Sequence, residues 1–154
     1  MSTSTMSTST MSRISFSKWY GPDGMEQFII NQTGCKPLCF TGITPRINKK
    51  TTILKSVDNT DFYDDVMSDI NNVKYTLFGK NGDQSEKEKK YNEKLLNKNK
   101  TEHIYLYRVK KTKNKKEYIW YGKYEIINKN NKQHPGEDKI IRNIIVLSLK
   151  KIGN

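Results

Sequence analysis

Acidic and aromatic side chains gather in one short stretch of an otherwise basic chain. The segment DFYDDVMSD holds four aspartates within nine residues, and two aromatic residues lie among them. A carboxylate accepts a hydrogen bond from the exocyclic amine of cytosine, and aromatic rings stack on a base that has left its duplex. Asp64 and Asp65, next to the aromatic pair, are therefore the candidate base-reading acids. We expect Asp61 and Asp69 to be ordinary loop acids.

A second aromatic segment, VKYTLFG, follows at residues 73–79. Together the two segments predict a base-binding pocket formed by Phe62, Tyr63, Asp64, Asp65, Tyr75, Thr76, Leu77 and Phe78. The residue types alone also fit a simpler interpretation. In that interpretation Asp64 and Asp65 are solvated loop acids, and Phe62 and Tyr75 belong to the core.

Catalytic chemistry has weak support in the sequence. The pair Asp64 and Asp65 is of the kind that binds metal in nucleases, but an acid pair that is followed by an aromatic strand is a weak nuclease signal. The sequence has no glycine-rich phosphate loop, and no histidine accompanies a cysteine or serine in a motif typical of nucleophilic catalysis. We therefore predict a protein that is not an enzyme, with no catalytic residue, metal or cofactor.

Two cysteines, Cys35 and Cys39, lie in the segment GCKPLC. A structural zinc site needs four ligands, and the two histidines, His103 and His134, are far away in the sequence. We predict free thiols. The sequence shows no signal peptide and no long apolar run, so we expect an intracellular protein, without a choice between nucleus and cytoplasm.

The formal net charge of +12 favours a polyanionic partner such as DNA, RNA or an acidic membrane face. The alternative is coding bias, because the chain contains 24 Lys, only four Arg and no Ala. Basic residues are dense between residues 87 and 116. The predicted phosphate-binding residues are Lys87, Lys90, Lys94, Arg108, Lys110, Lys111, Lys113, Lys115 and Lys116.

The elements that position these residues are mainly strands. Short β-branched or aromatic runs bounded by Asn, Asp and Gly predict strands at 51–57, 73–79, 103–110, 117–127 and 142–152. The basic segment KTKNKK joins the third and fourth as a long hairpin loop. The last strand is apolar nearly throughout, which predicts a central place in the sheet or burial on both faces.

Two helices accompany the strands. MEQFIIN at 25–31 follows Asp23, a predicted N-cap, and precedes Gly34, a predicted terminator, and we expect its apolar residues to dock on the main domain. A second helix is predicted after Asp83, again as N-cap, with Tyr91 and Leu95 on one apolar face.

These elements predict an α+β, mainly β protein: a curled, mostly antiparallel sheet or partly closed barrel with one or two surface helices. A chain of 154 residues has room for one domain of ordinary size. We predict a disordered Ser/Thr/Met leader at 1–12, an N-terminal extension at 13–40 and the barrel domain at 41–152. The oligomeric state, monomer or homodimer, stays open.

The ordered set of motifs resembles the SRA (SET and RING associated) domain of the PUA-like superfamily. That family has a strand, then Tyr-x-Asp-Asp, Tyr-Thr-Gly-x-Gly, Asp-Gln and Asn-x-x-Leu, followed by two aromatic-rich strands. The matching segments, in the same order over about residues 42–152, are TTILKSVDNTDFYDDV, KYTLFG, GDQ, NEKLL, YLYRV and EYIWYGKYEII.

The resemblance implies a PUA-like barrel that binds duplex DNA and flips a modified cytosine, typically 5-methylcytosine, into a pocket. Phe62 takes the place of the first pocket aromatic, and Asp65 that of the carboxylate that holds the cytosine edge. Tyr75 takes the place of the stacking aromatic, with Thr76 beside it. The matched positions of the turn and helix, which the resemblance implies are structural, are Gly79, Asp83, Gln84 and Asn92.

The sequence also departs from the family pattern. Leu77 and Phe78 replace small residues, which either narrows the pocket or builds an apolar wall for a different modification. The long loop before Asp-Gln, which fills the gap left by the flipped base in some members, is absent. Segment 111–116 is the candidate replacement.

Two other functions remain open at this point. The same barrel and aromatic residues fit RNA or single-stranded DNA, whose unpaired bases stack on aromatic rings. The chain also fits a structural or interaction protein, in which Trp19, Tyr20 and the helix at 25–30 form a dimer or partner surface.

Overall fold

The structure, a computed structural model, describes residues 14–38, 41–86 and 90–154. The predicted leader at 1–12, Cys39 and Lys87 lie outside the described residues. The strands are β1 (Ile14–Phe16), β2 (Ile43–Arg46), β3 (Thr51–Val57), β4 (Asn72–Thr76), β5 (His103–Thr112), β6 (Lys115–Pro135) and β7 (Ile141–Gly153). The helices are α1 (Met25–Thr33) and α2 (Lys90–Leu96), and a 3-10 turn spans Ile47–Lys49.

The seven strands form a single curled sheet in the order β2-β3-β5-β6-β7-β4, and β1 pairs with β6 outside this path. All pairings are antiparallel except that of β3 with β5. No ladder joins β2 to β4 within the described ranges, so the sheet curls without closing. The predicted fold class is confirmed, and β7 takes the predicted interior position between β6 and β4.

Strand β6 is longer than predicted, with 21 residues. Its first part pairs with β5, and its second part, rich in Asn and Lys, pairs with β7 through Pro135. The residues of this exposed arm are polar, so the sequence shows no strand pattern here. Pairing with the apolar β7 nevertheless holds them in a strand. The basic segment between β5 and β6 is a tight hairpin, because Thr112 pairs directly with Lys115.

The sheet is buried on both faces at its centre. On one face Leu54, Leu106 and Leu147 pack in a core that also receives Leu95 of α2. On the other face Trp19, Met25 and Ile29 of the N-terminal segment pack against Tyr107 and Trp120. Adjacent residues of β5 thus serve opposite cores, as the alternation of side chains along a strand requires. Through these contacts the N-terminal segment packs on the sheet.

Both predicted N-caps are wrong. Helix α1 begins after Gly24, without a side-chain cap, because the carbonyls of Lys18 and Trp19 accept the N–H groups of its first turn. Asp83 accepts a hydrogen bond from the Asn143 N–H at 2.9 Å, and α2 is described only from Lys90.

The predicted terminator of α1 is correct, since Gly34 has a φ of +72° and its N–H closes the last turn. No helix in the described part of the chain has the length and apolar character that a membrane span requires.

Gly122 lies where the ladders of β6 depart from regular register. Its φ is +112°, and a Cβ atom there would lie 2.5 Å from the carbonyl oxygen of Gly153. Both the conformation and the close approach of β7 require glycine at this point.

We expect Gly122→Ala to lower the free energy of unfolding by about 1–3 kcal/mol, through backbone strain and the clash with β7. Gly153→Ala is the matched control, because its Cβ would meet only the Lys123 side chain, at 3.7 Å. Urea denaturation measures both variants. Equal stability losses would show that the close approach at Gly122 does not constrain the sheet.

Candidate base-binding pocket

Side chains, rather than a backbone ladder, join the two ends of the curled sheet. The Tyr75 hydroxyl of β4 donates to the carbonyl of Gly42 at 2.9 Å and lies 3.2 Å from the carbonyl of Lys55 in β3. The Asp65 carboxylate accepts from the Ser56 hydroxyl of β3 and from the Thr76 N–H of β4, each at 2.7 Å. We call this junction between β3 and β4 the seam.

A cavity of about 230 Å³ opens in the seam. It is smaller than the roughly 300–1,000 Å³ of pockets that bury drug-sized ligands, and so suits a single base. Of the eight predicted pocket residues, six line it: Phe62, Tyr63, Asp65, Tyr75, Thr76 and Phe78. Sequence reasoning missed the other six: Thr41, Gly42, Lys55, Val57, Thr60 and Lys80. These six residues are scattered along the chain and form no motif, so only the pairing of the strands reveals that they line one cavity.

The two remaining predicted residues lie elsewhere. Leu77 has no exposed surface and packs in the core, and its N–H donates to the Ile145 carbonyl at 3.0 Å. The Asp64 carboxylate forms an ion pair with Lys132 of the β6 arm. Leu77 therefore does not narrow the cavity, and of the two replaced family positions only Phe78 forms part of its wall.

Asp65 combines burial with unused hydrogen-bonding capacity. Desolvation raises the pKa of its carboxyl, while the hydrogen bonds from Ser56 and Thr76 act in the opposite direction, and the nearby Asp64 adds to the rise. The two carboxylate oxygens accept from the Ser56 hydroxyl and the Thr76 N–H, one each, and the Thr76 hydroxyl also acts on the carboxyl by hydrogen bonding. A carboxylate has about four acceptor positions, so these donors leave at least one for a ligand. The group is thus positioned by the protein and still able to accept from a ligand.

Aromatic rings form much of the cavity wall. Tyr75 is 4% exposed, and the Phe62 and Tyr63 ring centroids are 4.8 Å apart. The Gly79 N–H donates to the Tyr63 hydroxyl at 3.2 Å, and burial raises the pKa of that hydroxyl. The Lys80 ammonium lies 5.9 Å from the Phe62 ring centroid and places a cation on the rim.

Phe78 is held in place by α2. The fully buried Asn92 side chain accepts from the Phe78 N–H at 2.9 Å and donates to the Phe78 carbonyl at 3.0 Å. Gln84 donates to the carbonyls of Leu77 and Gly79 and accepts from the Ile145 N–H. These contacts give Gln84 and Asn92 structural positions, as the sequence motifs implied.

Arg142 is a buried arginine that sequence reasoning did not single out. Its guanidinium donates to the carbonyls of Phe62, Gly79 and Gly82, and so ties the loop of the aspartates to the turn after β4. Its Nε has no partner among the described residues. The one available signal was its type, because arginine is rare in this chain and suits several simultaneous hydrogen bonds.

The predicted phosphate-binding residues form two groups. Lys90 and Lys94 lie on α2, and the β5–β6 hairpin carries the exposed residues Lys110, Lys111, Lys113, Lys115 and Lys116. Arg108 belongs to neither group, because it forms an ion pair with Asp58. Its guanidinium pairs with both Asp58 oxygens, at 2.7 and 3.0 Å, and these hydrogen bonds raise its pKa. Phosphate binding by all of these residues stays a prediction.

Most of the chain matches a known protein family. The family model described as "ScoMcrA-like, SRA domain" matches residues 29–154. The chain belongs to the ScoMcrA-like SRA domain family. The resemblance inferred from the sequence motifs is thereby confirmed. No curated protein matches the sequence.

Solved structures of SRA proteins share the fold. KRYPTONITE in complex with mCHH DNA, an H3 peptide and SAH is 13% identical, covers 90% of this chain and has a TM-score of 0.58. The Type IV phosphorothioation-dependent restriction endonuclease ScoMcrA is 17% identical, covers 92% and has a TM-score of 0.57. The present chain spans only 31% and 28% of these two proteins.

The SRA domain of SUVH5, in complex with fully methylated CG DNA, is matched over most of its own length. It is 18% identical, covers 84% of this chain and 86% of that chain, and has a TM-score of 0.51. At these identities the likeness establishes the fold, and the chemistry of the pocket has to be argued from this chain's own residues.

We expect Arg142→Lys to lower the free energy of unfolding of this SRA domain by about 2–4 kcal/mol. A lysine keeps the charge but cannot reach three carbonyls with one ammonium, and hydrogen bonds from charged donors contribute more than neutral ones. Arg46→Lys is the control, since Arg46 makes one exposed hydrogen bond, to the Lys36 carbonyl. Denaturant unfolding measures both variants. Equal losses of unfolding free energy would refute the role of Arg142 in holding the three carbonyls.

The raised pKa of Asp65 predicts a pH dependence of stability. A carboxyl that holds its proton more tightly when folded destabilises the fold as pH rises from its ordinary pKa, about 4, through the raised value. Asp65→Asn removes this contribution. We therefore expect unfolding experiments to show the variant gaining stability relative to wild type between pH 4 and pH 7. A relative loss over that range would contradict the cause assigned to the shift.

Proposed function

We propose that the protein is a non-catalytic module that binds DNA and accepts a modified cytosine, 5-methylcytosine or a related base, in the seam cavity. The observation that carries the proposal is the position of Asp65. It is the one carboxylate that lines this base-sized cavity within the described residues, and aromatic rings stand around it. A flipped base needs stacking surfaces and hydrogen-bonding partners for its edge.

Cytosine presents an exocyclic amine, and a carboxylate oxygen is the matching acceptor. The links from Asp65 to Ser56 and Thr76 fix its oxygens before any ligand arrives, which lowers the cost of binding. The rings of Phe62 and Tyr75 offer faces for stacking. Val57 and Phe78 add apolar surface to the wall, which suits a methyl-sized substituent on the base.

Three SRA relatives support DNA as the partner. KRYPTONITE and the SUVH5 SRA domain were solved with methylated DNA. ScoMcrA was solved with phosphorothioated DNA, which carries its modification on the backbone. The shared ligand is modified DNA. For this chain we assign the modification to the base, because the carboxylate acceptor and the aromatic rings line the same base-sized cavity.

Positively charged side chains lie in the wall of the proposed pocket and next to it. Lys55 and Lys80 line the cavity, and the hairpin at 110–116 begins where β3 ends, since Val57 pairs with Val109. Lysines so placed can follow the phosphate backbone on either side of a flipped nucleotide, with an affinity that falls steeply with salt. Any cleavage of DNA would then be the task of a partner protein or domain.

In the interaction-protein alternative, most of the residues proposed as a partner surface are buried. Trp19 is 8% exposed and packs on Tyr107 and Tyr118, and Met25 and Ile29 have no exposed surface. Of the residues proposed for it, Tyr20 stays prominent, at 67% exposure. RNA and single-stranded DNA use the same stacking chemistry, and binding experiments with such ligands distinguish them from duplex DNA.

Binding to matched duplexes tests the proposal. We expect a 5-methylcytosine duplex to bind at least about tenfold more tightly than its unmodified counterpart, and Asp65→Asn to remove most of this preference, because the amide turns a donor toward the ligand or toward Ser56. Hydroxymethylated duplex, single-stranded DNA and RNA complete the series.

The control is Asp61→Asn, which makes the same charge change in the same loop, at an exposed residue outside the cavity lining. It should preserve the preference. Equal affinity of wild type for modified and unmodified duplexes would overturn the proposal. Tighter binding to single strands than to any duplex would replace it with the single-strand alternative.

A further inference from the structure

Five residues that line the seam cavity carry a hydroxyl group: Thr41, Thr60, Tyr63, Tyr75 and Thr76. Four of these hydroxyls already have a hydrogen bond for their proton. Thr41 and Thr60 donate to backbone carbonyls two and three residues away, and Tyr75 donates to a carbonyl across the seam. The Thr76 hydroxyl is hydrogen-bonded to the Asp65 carboxyl.

The Tyr63 hydroxyl is the fifth, and it is used as an acceptor. The Gly79 N–H donates to it at 3.2 Å, and its own proton has no acceptor among the described residues. A phenol group both accepts and donates, so this hydroxyl still has one hydrogen bond to give. Burial raises its pKa, against the opposing effects of the Gly79 N–H and the Arg142 charge, so the group keeps its proton at neutral pH.

The contact with Gly79 shows on which side of the Tyr63 ring the hydroxyl lies. Tyr63 also lines a second cavity, of about 430 Å³, on the side of Arg108. The chain neighbours of Gly79, which are Phe78 and Lys80, line the seam cavity and do not line the second one. The hydroxyl that meets the Gly79 N–H therefore lies on the side of the seam cavity.

Asp65 and the Tyr63 hydroxyl form a complementary pair of groups. They are close, since the Asp65 charge adds to the raised pKa of Tyr63, and no hydrogen bond joins them. A carboxylate acceptor and a hydroxyl donor thus line one base-sized cavity side by side. On the Watson–Crick edge of cytosine, the exocyclic amine is a donor and the adjacent ring N3 is an acceptor. The two protein groups match these two atoms.

The other side-chain donors of the lining are two lysines. The Lys80 ammonium lies 5.9 Å from the Phe62 ring centroid, and Lys55 has a contact of its own. An ammonium on a flexible stem can turn toward phosphates outside the cavity. The Tyr63 hydroxyl is fixed by the Gly79 N–H, and its ring packs on Phe62 with a centroid distance of 4.8 Å. A fixed donor loses less freedom when it meets a ligand.

We propose that Tyr63 reads the base directly, with its hydroxyl donating to ring N3 of the flipped cytosine while the Asp65 carboxylate accepts from the exocyclic amine. The proposal rests on the proposed function, because it needs a base in the seam cavity. In the family pattern Tyr-x-Asp-Asp, Tyr63 occupies the unassigned position x, so the family motif does not specify this hydroxyl. The pair of Tyr63 and Asp65 recognises cytosine, and the apolar wall recognises its modification.

A cycle of matched changes in the protein and in the base tests the contact. Tyr63→Phe removes the hydroxyl and keeps the ring, and the 3-deaza analogue of 5-methylcytosine replaces N3 with a C–H group and keeps the amine. We expect Tyr63→Phe to weaken binding of the 5-methylcytosine duplex by about three- to tenfold, the effect of one hydrogen bond, and to leave binding of the 3-deaza duplex unchanged. Equal losses for the two duplexes would show a purely structural role and overturn the proposal.

Tyr91→Phe is the matched protein control. It removes the hydroxyl of a tyrosine whose ring packs on Phe78 but does not line the cavity, so it should weaken neither duplex. Lys80→Gln tests the other rim donor. A selective loss for the 5-methylcytosine duplex in Lys80→Gln, and none in Tyr63→Phe, would assign the donor to Lys80 and overturn the proposal.

The wild-type chain gives a readout that does not depend on the stability of a variant. With ¹³C-labelled tyrosine, the Cζ signal of Tyr63 should shift on binding the 5-methylcytosine duplex more than on binding the 3-deaza duplex, because Cζ carries the hydroxyl that donates. The same shift with both duplexes would contradict a hydrogen bond to N3.

The two proposals fail in different ways when the cycle is repeated with unmodified cytosine and its 3-deaza analogue. Coupling between Tyr63 and N3 in a protein that does not prefer modified DNA would overturn only the reading of the modification. A preference for modified DNA without this coupling would overturn only the contact of Tyr63.

Discussion

The Asp65 carboxylate and the Tyr75 hydroxyl are the links on which the architecture of the site depends. They connect β4, at one end of the curled sheet, to β3 near the other end, where no backbone ladder is present in the described part of the chain. A continuous ladder would set strands about 4.8 Å apart and leave no room for a ligand. Because side chains span the seam instead, a base-sized cavity lies between the strands.

The same constraint explains why a basic chain concentrates its acids after β3. Asp58 pairs with Arg108, Asp64 pairs with Lys132, and Asp69 accepts the Asn71 N–H at the turn that leads into β4. Each acid fixes one point of the loop that carries Phe62 and Asp65 over the seam. Their contacts are structural, and Asp65 alone among them lines the cavity.

The few arginines of the described chain act in a related way. Arg142 holds three carbonyls around the cavity, Arg108 engages both oxygens of Asp58, and Arg46 donates to the Lys36 carbonyl. A planar guanidinium can satisfy several fixed acceptors at once, which an ammonium does less well. The lysines are mostly left on the surface. The chain thus divides its positive charge between internal clamps and an exposed basic hairpin.

Sequence patterns were sufficient for the strands whose apolar residues alternate, for the helix ended by Gly34 and for the family. They were also sufficient to nominate Phe62, Asp65 and Tyr75, because these lie in recognisable motifs. They could not show that Leu77 faces the core while Phe78 faces the cavity, since the strand ends at Thr76 and the alternation stops there. Both N-caps were misplaced, because the carbonyls of Lys18 and Trp19 accept the first N–H groups of α1, and the Asp83 carboxylate accepts the Asn143 N–H of β7.

Lys55, Lys80 and Arg142 were beyond sequence reasoning for the same kind of reason. Their places at the seam depend on which strands become neighbours when the sheet curls. The contacts of Arg142 span 60 to 80 residues and leave no local pattern in the sequence.

A crystal structure of the full chain with a duplex containing one 5-methylcytosine tests the central claim most directly. The account predicts that the modified base leaves the helix and lies in the seam, stacked against Tyr75 or Phe62, with its exocyclic amine within hydrogen-bonding distance of an Asp65 oxygen. A complex in which the modified base stays paired and the seam holds no part of the DNA would contradict it.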